Sequence, residues 1–330
     1  MEREPAPSRR SLQAEHFGIK GDAKECAEGA SKYRSIALDV GEPVGNPGEL
    51  PHAIERLRSL RDGDLAIMDV VAYGKAAVWP LREVLFQREP SGLFDARCRA
   101  VEALATVGAY DVLIEFLSAP HAVSDPVESV GEDAVVNAAA LAFVNRRDER
   151  VFPILLQLAE RPCLTGVIAA LGAFGRTEAI PRLVDALGED ASRRTAEAAL
   201  RTVGGAARQS LLDAAILPLS SETDIRRRVS VLGLLAEIGA PLDAWPTLLP
   251  LVDHPNPRIA VSACRTCLAT APPIYRAAAA RRLVHQLSSA DWALRNEIEN
   301  CLITYFPRAR DIIGDTVESA TLHDKATDGS

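Results

Sequence analysis

From about Ala53 onward, apolar residues recur at helical spacing and are interrupted by glycine and proline. Two stretches, AALGAFG ending at Gly175 and AALRTVG ending at Gly204, are typical of the ends of helices. In the second, Leu200 and Val203 stand three positions apart, and the glycine that follows can take the left-handed conformation that stops a helix. The pattern predicts helices that end at these glycines.

Endings of this kind repeat along the chain. They close at residues 74, 108, 145, 175, 204 and 239, so the intervals are 34, 37, 30, 29 and 35 residues, and weaker endings follow near Pro272 and Phe306. At 145 the residue is asparagine, the usual substitute for glycine at such a stop. This is the period of a two-helix repeat. Because a single hairpin cannot cover its own apolar face, neighbouring hairpins must stack, which predicts an all-α solenoid.

The segments 97–108 and 164–204 resemble the HEAT-repeat superfamily, and especially its short subclass, the HEAT-like repeats first described in phycobilisome (PBS) lyases. The pattern of that subclass runs roughly VRxxAAxALGxIG and then xxAIPxLxxAL. The resemblance covers about residues 53–306 and is weak after residue 258. It implies a right-handed α-solenoid of about seven to eight hairpins. It leaves the function open, because the same repeat serves lyases, scaffolds, regulators and nucleic-acid enzymes.

Composition divides the chain into three parts. Residues 1–52 are rich in proline, glycine and charge, and we expect a flexible lead there; 53–306 is the predicted solenoid and 307–330 a polar tail. Two segments, 118–133 and 204–224, read as long turns of the solenoid. Long turns of a solenoid commonly lie on one edge, where binding often occurs. The alternative, which we favour, is that the two segments are tolerated insertions without a binding role.

Charge and composition exclude several classes of protein. The net charge is −8 and no segment is basic, which argues against nucleic acid as a partner. No apolar run approaches the roughly 18 residues that a membrane span needs. The six cysteines are scattered, so we expect free thiols and a cytoplasmic location.

No catalytic motif stands out. Cys264 and Cys267 form the one CxxC, but it lies in a helical segment and reads as two small buried residues. The six histidines are isolated and show no metal-binding spacing, and no nucleotide-binding or serine-nucleophile motif is present. The sequence therefore predicts no catalytic residue, no metal and no cofactor. The tryptophans are interpreted as packing between repeats: Trp79, Trp245 and Trp292.

A row of arginines stands seven residues before the leucines of four endings. Its members are Arg97, Arg193, Arg228 and Arg295. The resemblance implies that such an arginine pairs with an acidic residue in a turn and ties the repeats together. The alternative is a row of guanidinium groups that binds an acidic partner or a phosphate backbone.

Positions two, five and nine residues after these arginines share one helix strip, which we expect on the concave side of the solenoid. The strip is small, polar and nearly uncharged, and it suits a protein partner better than a phosphate backbone. We predict that the binding residues include Arg99, Glu102, Arg194, Thr195 and Thr202. The predicted function is a non-enzymatic scaffold or adaptor. The alternatives are a phycobilin lyase-like chromophore-binding protein and a HEAT-like DNA glycosylase.

Overall fold

The structure is a computed structural model that describes residues 47–88, 94–162 and 164–305. These residues form helices joined by short turns. In chain order the α-helices are α1 (Leu50–Arg56), α2 (Gly63–Val71), α3 (Val78–Phe86), α4 (Asp95–Val107), α5 (Tyr110–Ser118), α6 (Pro126–Leu141), α7 (Phe152–Leu158), α8 (Thr165–Phe174), α9 (Ile180–Ala186), α10 (Arg193–Val203), α11 (Arg208–Ile216), α12 (Glu222–Ile238), α13 (Trp245–Leu248), α14 (Pro257–Thr270), α15 (Pro273–Leu287) and α16 (Trp292–Tyr305).

The helices stack in two layers. Each even-numbered helix from α2 to α14 packs against the next even-numbered helix, and these helices form what we call the even layer. The odd-numbered helices lie beside them, with α1 on α3, α3 on α5, α5 on α7, α9 on α11 and α11 on α13, and form the odd layer. Each even-numbered helix forms a hairpin with the odd-numbered helix that follows it, from the hairpin of α2 and α3 to that of α14 and α15. The predicted all-α solenoid is confirmed.

The predicted domain boundaries stay a prediction. The described helices begin with α1 at Leu50 and end with α16 at Tyr305. The lead expected before residue 47 and the tail expected after residue 305 lie outside the described residues. None of the described helices combines the length and the apolar character that are needed to cross a membrane.

The core between the layers is aliphatic, with Trp245 and Phe143 as the largest fully buried side chains. Where even helices meet, small residues let the backbones approach. A Cβ atom added at Gly166 of α8 would overlap the Asn137 carbonyl of α6, and one added at Gly172 would overlap Ala199 of α10. Helix α8 therefore lies close to both of its neighbours in the even layer.

Four of the five predicted glycine stops are confirmed, because α4, α8, α10 and α12 each end at the residue before the glycine. Helix α2 ends at Val71, three residues before Gly74, so the predicted stop there is wrong. Gly74, Gly108, Gly175, Gly204 and Gly239 have φ between 54° and 95°, a region that glycine enters without steric cost. At Gly108 and Gly175 the conformation is left-handed α.

The predicted stop at Asn145 is wrong. Helix α6 ends at Leu141, and tight turns follow in which the Phe143 and Val144 amides donate to the Ala140 and Leu141 carbonyls. These turns bury the Phe143 ring completely, so packing of this ring, rather than a residue suited to positive φ, sets the end of the helix.

The two predicted long turns are mostly helix. Residues 204–224 hold a 3-10 turn and then α11, the ordinary second helix of its hairpin, because Leu211, Ala214 and Ala215 are buried at helical spacing. In residues 118–133, α6 begins at Pro126, where the Asp125 carboxylate accepts from the Val127 and Glu128 amides. Only residues 119–125 form a loop there.

Most ion pairs join neighbouring repeats. Arg99 with Asp64, Arg201 with Glu237 and Arg258 with Glu222 are 35 or 36 residues apart in the chain, which is about one repeat. We call such contacts the inter-repeat pairs. An exposed pair contributes roughly 0–1 kcal/mol, so they fix the register of the repeats more than they stabilise the fold.

The predicted row of arginines ties repeats together, but mainly through carbonyl groups. Three of them donate to carbonyl oxygens where the preceding odd helix ends: Arg97 to Leu85, Arg228 to Leu217 and Arg295 to Leu287. A guanidinium at this place satisfies a carbonyl that the helix leaves open and complements the negative end of its dipole. The expected acidic partner in a turn is found for Arg193, which pairs with Asp190 at 3.4 Å.

Candidate functional site

Helix α4 presents one exposed strip to solvent. Within α4 only Glu102 and Thr106 are exposed, and both belong to the strip that the sequence predicts. The Thr106 hydroxyl donates to the Glu102 carbonyl at 2.8 Å, a local bond within the helix. The free polar group of this strip is therefore the Glu102 carboxylate.

Arg99, the third predicted residue of this strip, is largely committed to the fold. Its guanidinium donates to the Asp64 carboxylate at 2.6 Å and to the Leu57 and Ser59 carbonyls at 2.8 and 3.0 Å. It lies against Gly63, where any Cβ atom would overlap it. Arg99 thus holds the turn between α1 and α2, and only 12% of its side chain is exposed.

The Glu102 carboxylate is unusual for an exposed group. Loss of hydration raises its pKa, and the nearby negative charge of Asp64 raises it further. The Glu102 carboxylate is therefore easier to protonate than an ordinary surface glutamate.

The other three predicted residues lie on α10. Arg194 is exposed and forms no ion pair with another described residue. Thr195 is half-buried. Thr202 is exposed, and its hydroxyl donates to the Ala198 carbonyl at 3.1 Å. Arg194 is therefore the group of this set that is free to meet a ligand.

The predicted residues form two groups that are not in contact. Arg99 and Glu102 are on α4, the remaining three are on α10, and α6 and α8 lie between these helices in the even layer. Any ligand that touches both groups must cross α6 and α8. The surface that these two helices offer is thus part of the candidate site.

An apolar strip runs along α6 and was not predicted from the sequence. Val127 and Val130 are each 65% exposed and Leu141 is 46% exposed. The half-buried Ala134 and Ala138 lie between them on the same side of the helix, opposite its buried face. We call these five residues the α6 strip. In sequence, a strip of valine, alanine and leucine at helical spacing has the same pattern as a core face, so the pattern alone does not show that the strip is exposed.

Helix α8 continues this surface with small side chains. It has no exposed residue, and the residues on its solvent side are Thr165, Ala169 and Ala173, spaced four apart. The candidate site is thus a surface with Glu102 at one border, the α6 strip and α8 in the centre, and Arg194 at the other border.

Arginines beyond α10 on the even layer are mostly paired. At the end of α10, the Arg201 Nε lies 2.5 Å from Glu237, and Arg201 also pairs with Glu197 of the same helix at 3.7 Å. Arg226 pairs with Asp190, and Arg258 pairs with Glu222. A free row of guanidinium groups is therefore not formed by these residues.

The cysteines behave as expected. Cys264 and Cys267 are buried within α14, and burial raises their pKa to about 12 and about 11. The described residues contain no group of three or more histidine, cysteine or acidic side chains that could hold a metal ion.

The interpretation of the tryptophans is right for only one of them. Trp245 is fully buried between repeats, but Trp79 and Trp292 are 63% and 82% exposed. The Arg82 guanidinium carbon lies 5.4 Å from the centroid of the exposed Trp79 ring.

A second group of polar side chains is buried between α3, α4 and α6. The Glu132 carboxylate accepts from Arg97 Nη1 at 2.8 Å and from His121 Nδ1 at 2.6 Å, and Arg88 Nη2 donates to it at 3.3 Å. Only 1% of the Glu132 side chain is exposed. We call these four residues the Glu132 cluster.

The contacts decide the charge of Glu132. Desolvation by burial opposes ionisation, but the hydrogen bonds from His121 and Arg97, together with the charges of Arg97 and Arg88, lower the pKa of Glu132 to about 2. The cluster thus holds a carboxylate that is ionised at neutral pH.

No protein-family model matches the chain, and no curated protein matches it. Among solved structures, the chain is similar to one chain in the complex of CpcE and CpcF of phycocyanin lyase from Nostoc sp. PCC7120. The identity is 22%, the match covers 82% of this chain and 97% of that chain, and the TM-score is 0.35. A similarity this distant carries no argument about function. The stacked two-helix repeats, their glycine stops and their inter-repeat pairs make the described part of this chain an all-α solenoid of helical hairpins.

Proposed function

We propose that this protein is a non-enzymatic cytoplasmic adaptor whose even layer binds an amphipathic helix of a partner protein, between Glu102 and Arg194. The observation that carries the proposal is the exposed α6 strip at the centre of that surface. Exposed apolar residues that are contiguous and bordered by polar groups mark sites of protein interaction.

The form of the surface favours a helix as the occupant. The α6 strip is a line of apolar side chains along one helix, and the neighbouring α8 offers only small residues on its solvent side. A helix laid along this line can place its own apolar residues over Ala169 and Ala173 and against Val127 and Val130. This is the helix-in-groove mode of recognition, which reads anchor residues three and four positions apart.

The charged residues at the two borders of the surface would orient the partner helix. Glu102 stands beside Asp64 on one border, and Arg194 stands without an ion pair to another described residue on the other. A partner helix with basic residues towards α4 and acidic residues towards α10 complements both. Such border charges affect the rate of association and the choice of partner more than the affinity.

Nucleic acid fits the same surface poorly. The net charge of the chain is −8, and Arg201, Arg226 and Arg258 are each paired with a carboxylate of a neighbouring helix. A phosphate backbone would have to displace these carboxylates.

The test compares two variants of the tagged full-length chain. Val127→Glu with Val130→Glu places charge on the α6 strip. The matched control, Leu242→Glu with Ile274→Glu, changes equally exposed apolar residues on the odd-layer side. Proteins bound from the native host's lysate are quantified after nuclease treatment, and the partner is then purified and its affinity measured by calorimetry.

We expect one stoichiometric partner that binds the wild type and the control variant alike and binds the α6-strip variant at least about tenfold more weakly. A photo-crosslinking residue at Ala134 should then react with partner residues spaced three or four apart. Undiminished binding by the α6-strip variant contradicts the proposal. An eluate that absorbs visible light supports the lyase-like alternative, and an eluate that nuclease abolishes supports the glycosylase-like one.

A further inference from the structure

The Glu132 cluster borders a cavity. The cavity measures about 200 Å³ and opens to solvent, and its walls are Phe86, Arg88, Arg97, Phe116, Ala119, Pro120, His121 and Glu132. One part of the wall is apolar and aromatic, and the rest is the polar cluster. Ligand sites characteristically combine an apolar wall with a few polar groups that fix orientation.

The cluster has an excess of positive charge. Arg88 and Arg97 share the single carboxylate of Glu132, and no other described carboxylate forms an ion pair or hydrogen bond with either of them. Arg97 is fully enclosed and also donates to the Leu85 carbonyl. Arg88 is the accessible cation, with 42% of its side chain exposed. An anion in the cavity would balance this charge.

His121 has an unused polar atom. Its Nδ1 lies 2.6 Å from Glu132 Oε1, so the proton between them belongs on Nδ1 because the carboxylate can only accept. The residue is only 7% exposed, and its buried Nε2 has no hydrogen-bond partner among the described residues. The hydrogen bond to Glu132 thus fixes the His121 ring in the wall of the cavity.

The wall beside His121 suits a flat body. The Phe116 ring packs edge-on against the His121 ring with centroids 4.9 Å apart, and against Phe86 with centroids 5.7 Å apart. Pro120 and Ala119 complete this side. The volume admits a ligand of roughly ten non-hydrogen atoms and excludes a tetrapyrrole.

We propose that this cavity is a binding site for a small monocarboxylate with a flat apolar body. The ligand carboxylate accepts a hydrogen bond from Arg88, and the body packs against Phe86, Phe116 and the His121 ring. The site lies on the opposite side of α6 from the α6 strip, and the proposal does not depend on the proposed function.

Benzoate is the probe, and benzamide, of the same shape and without charge, is its control. The full-length chain labelled with ¹⁵N is titrated with each compound, and long-range ¹H–¹⁵N spectra follow the ring nitrogens of His121. We expect saturable binding of benzoate with Kd roughly 0.1–10 mM, in line with a ligand of this size. The His121 ring resonances should shift along the same saturation curve because the ring lines the cavity, and benzamide should bind at least about tenfold more weakly.

Arg88→Gln tests the accessible cation, and Arg182→Gln is its matched control, since Arg182 is also a partly exposed arginine paired with a carboxylate, that of Glu160, but does not line the cavity. We expect the first change to weaken benzoate binding about tenfold and the second to leave it unchanged. The proposal is overturned if benzoate does not saturate, if benzamide binds equally well, if the two variants behave alike, or if the His121 ring resonances do not shift. The wild-type spectra decide the question even where a variant fails to fold.

Discussion

The Arg97 guanidinium and the Glu132 carboxylate meet at 2.8 Å inside the molecule, although 35 residues separate them in the chain. Each is less than a tenth exposed. Arg97 opens α4 and Glu132 lies in α6, so one contact joins two repeats, the end of α3 and the loop 119–125 that carries His121.

Removing the Glu132 charge should therefore be costly. Glu132→Gln leaves the buried Arg97 without its carboxylate, and we expect the free energy of unfolding to fall by about 3–5 kcal/mol. Urea denaturation followed by circular dichroism measures it. Glu160→Gln breaks the exposed pair with Arg182 and should change stability by less than about 1 kcal/mol. Equal effects of the two changes would show that Glu132 contributes as an ordinary surface residue.

The same carboxylate should make the fold sensitive to acid. The folded-state pKa of Glu132 is lowered to about 2 from an ordinary value of 4.5, so its contribution is complete above the unfolded-state pKa. This contribution is lost as pH falls from about 5 to about 2, because the unfolded chain takes up the proton first. Urea midpoints measured across this range should fall more steeply for the wild type than for Glu132→Gln. Parallel slopes would contradict the assignment.

Two glycines within helices should respond in opposite directions to alanine. A Cβ atom at Gly166 meets the Asn137 carbonyl, so Gly166→Ala should destabilise the protein by about 1–3 kcal/mol. At Gly233 of α12 nothing lies within 4 Å, and Gly233→Ala should stabilise by about 0.5–1 kcal/mol through helix propensity. Thermal melts of the two variants test this. Destabilisation by both would mean that the layer is packed more tightly at α12 than these distances show.

The stop at Gly175 should depend on backbone conformation alone. Its φ is +65° and a Cβ atom there has no neighbour within 4 Å. Gly175→Ala should cost about 1–2 kcal/mol because a left-handed conformation strains an L-residue. Gly175→Asn should cost less, since asparagine tolerates this region. If the two variants were equally stable, another interaction would have to hold the turn.

Buried thiols should be slow to react in the native protein. Burial raises the pKa of Cys98, Cys264 and Cys301 to about 12 and that of Cys267 to about 11, so little thiolate exists at pH 8. In a chain with Cys26→Ala and Cys163→Ala, a disulfide reagent should modify these four only after unfolding in urea. Rapid modification of one of these thiols in the native state would show that the helix carrying it opens locally.

The repeat and its helix stops could be predicted from the sequence because both are local. Leu200, Val203 and Gly204 carry the signal within five residues, and the structure places a positive φ at that glycine. The prediction fails at Asn145 because Phe143, buried by residues distant in the chain, determines where α6 ends. The prediction of a long turn at residues 204–224 is wrong because the buried residues of α11 have helical spacing but do not match the sequence pattern of the repeat.

The candidate site could be predicted only in part. Glu102 is exposed on the predicted strip of α4, while Arg99 of the same strip is drawn into the α1–α2 turn by carbonyl oxygens that no sequence pattern marks. The α6 strip and the Glu132 cluster were missed for the same reason. Whether a valine or a glutamate is buried depends on the neighbouring repeat, about 35 residues away.

The inter-repeat pairs also have a mechanical consequence. Each described inter-repeat pair, such as Arg201 with Glu237, joins only adjacent repeats. Each hairpin is therefore coupled directly only to its neighbours. A tension applied at α2 and α16 would be shared among all interfaces, and each would yield by a small amount. The distance between Glu102 and Arg194 can then adjust to the length of what lies between them at little cost in free energy.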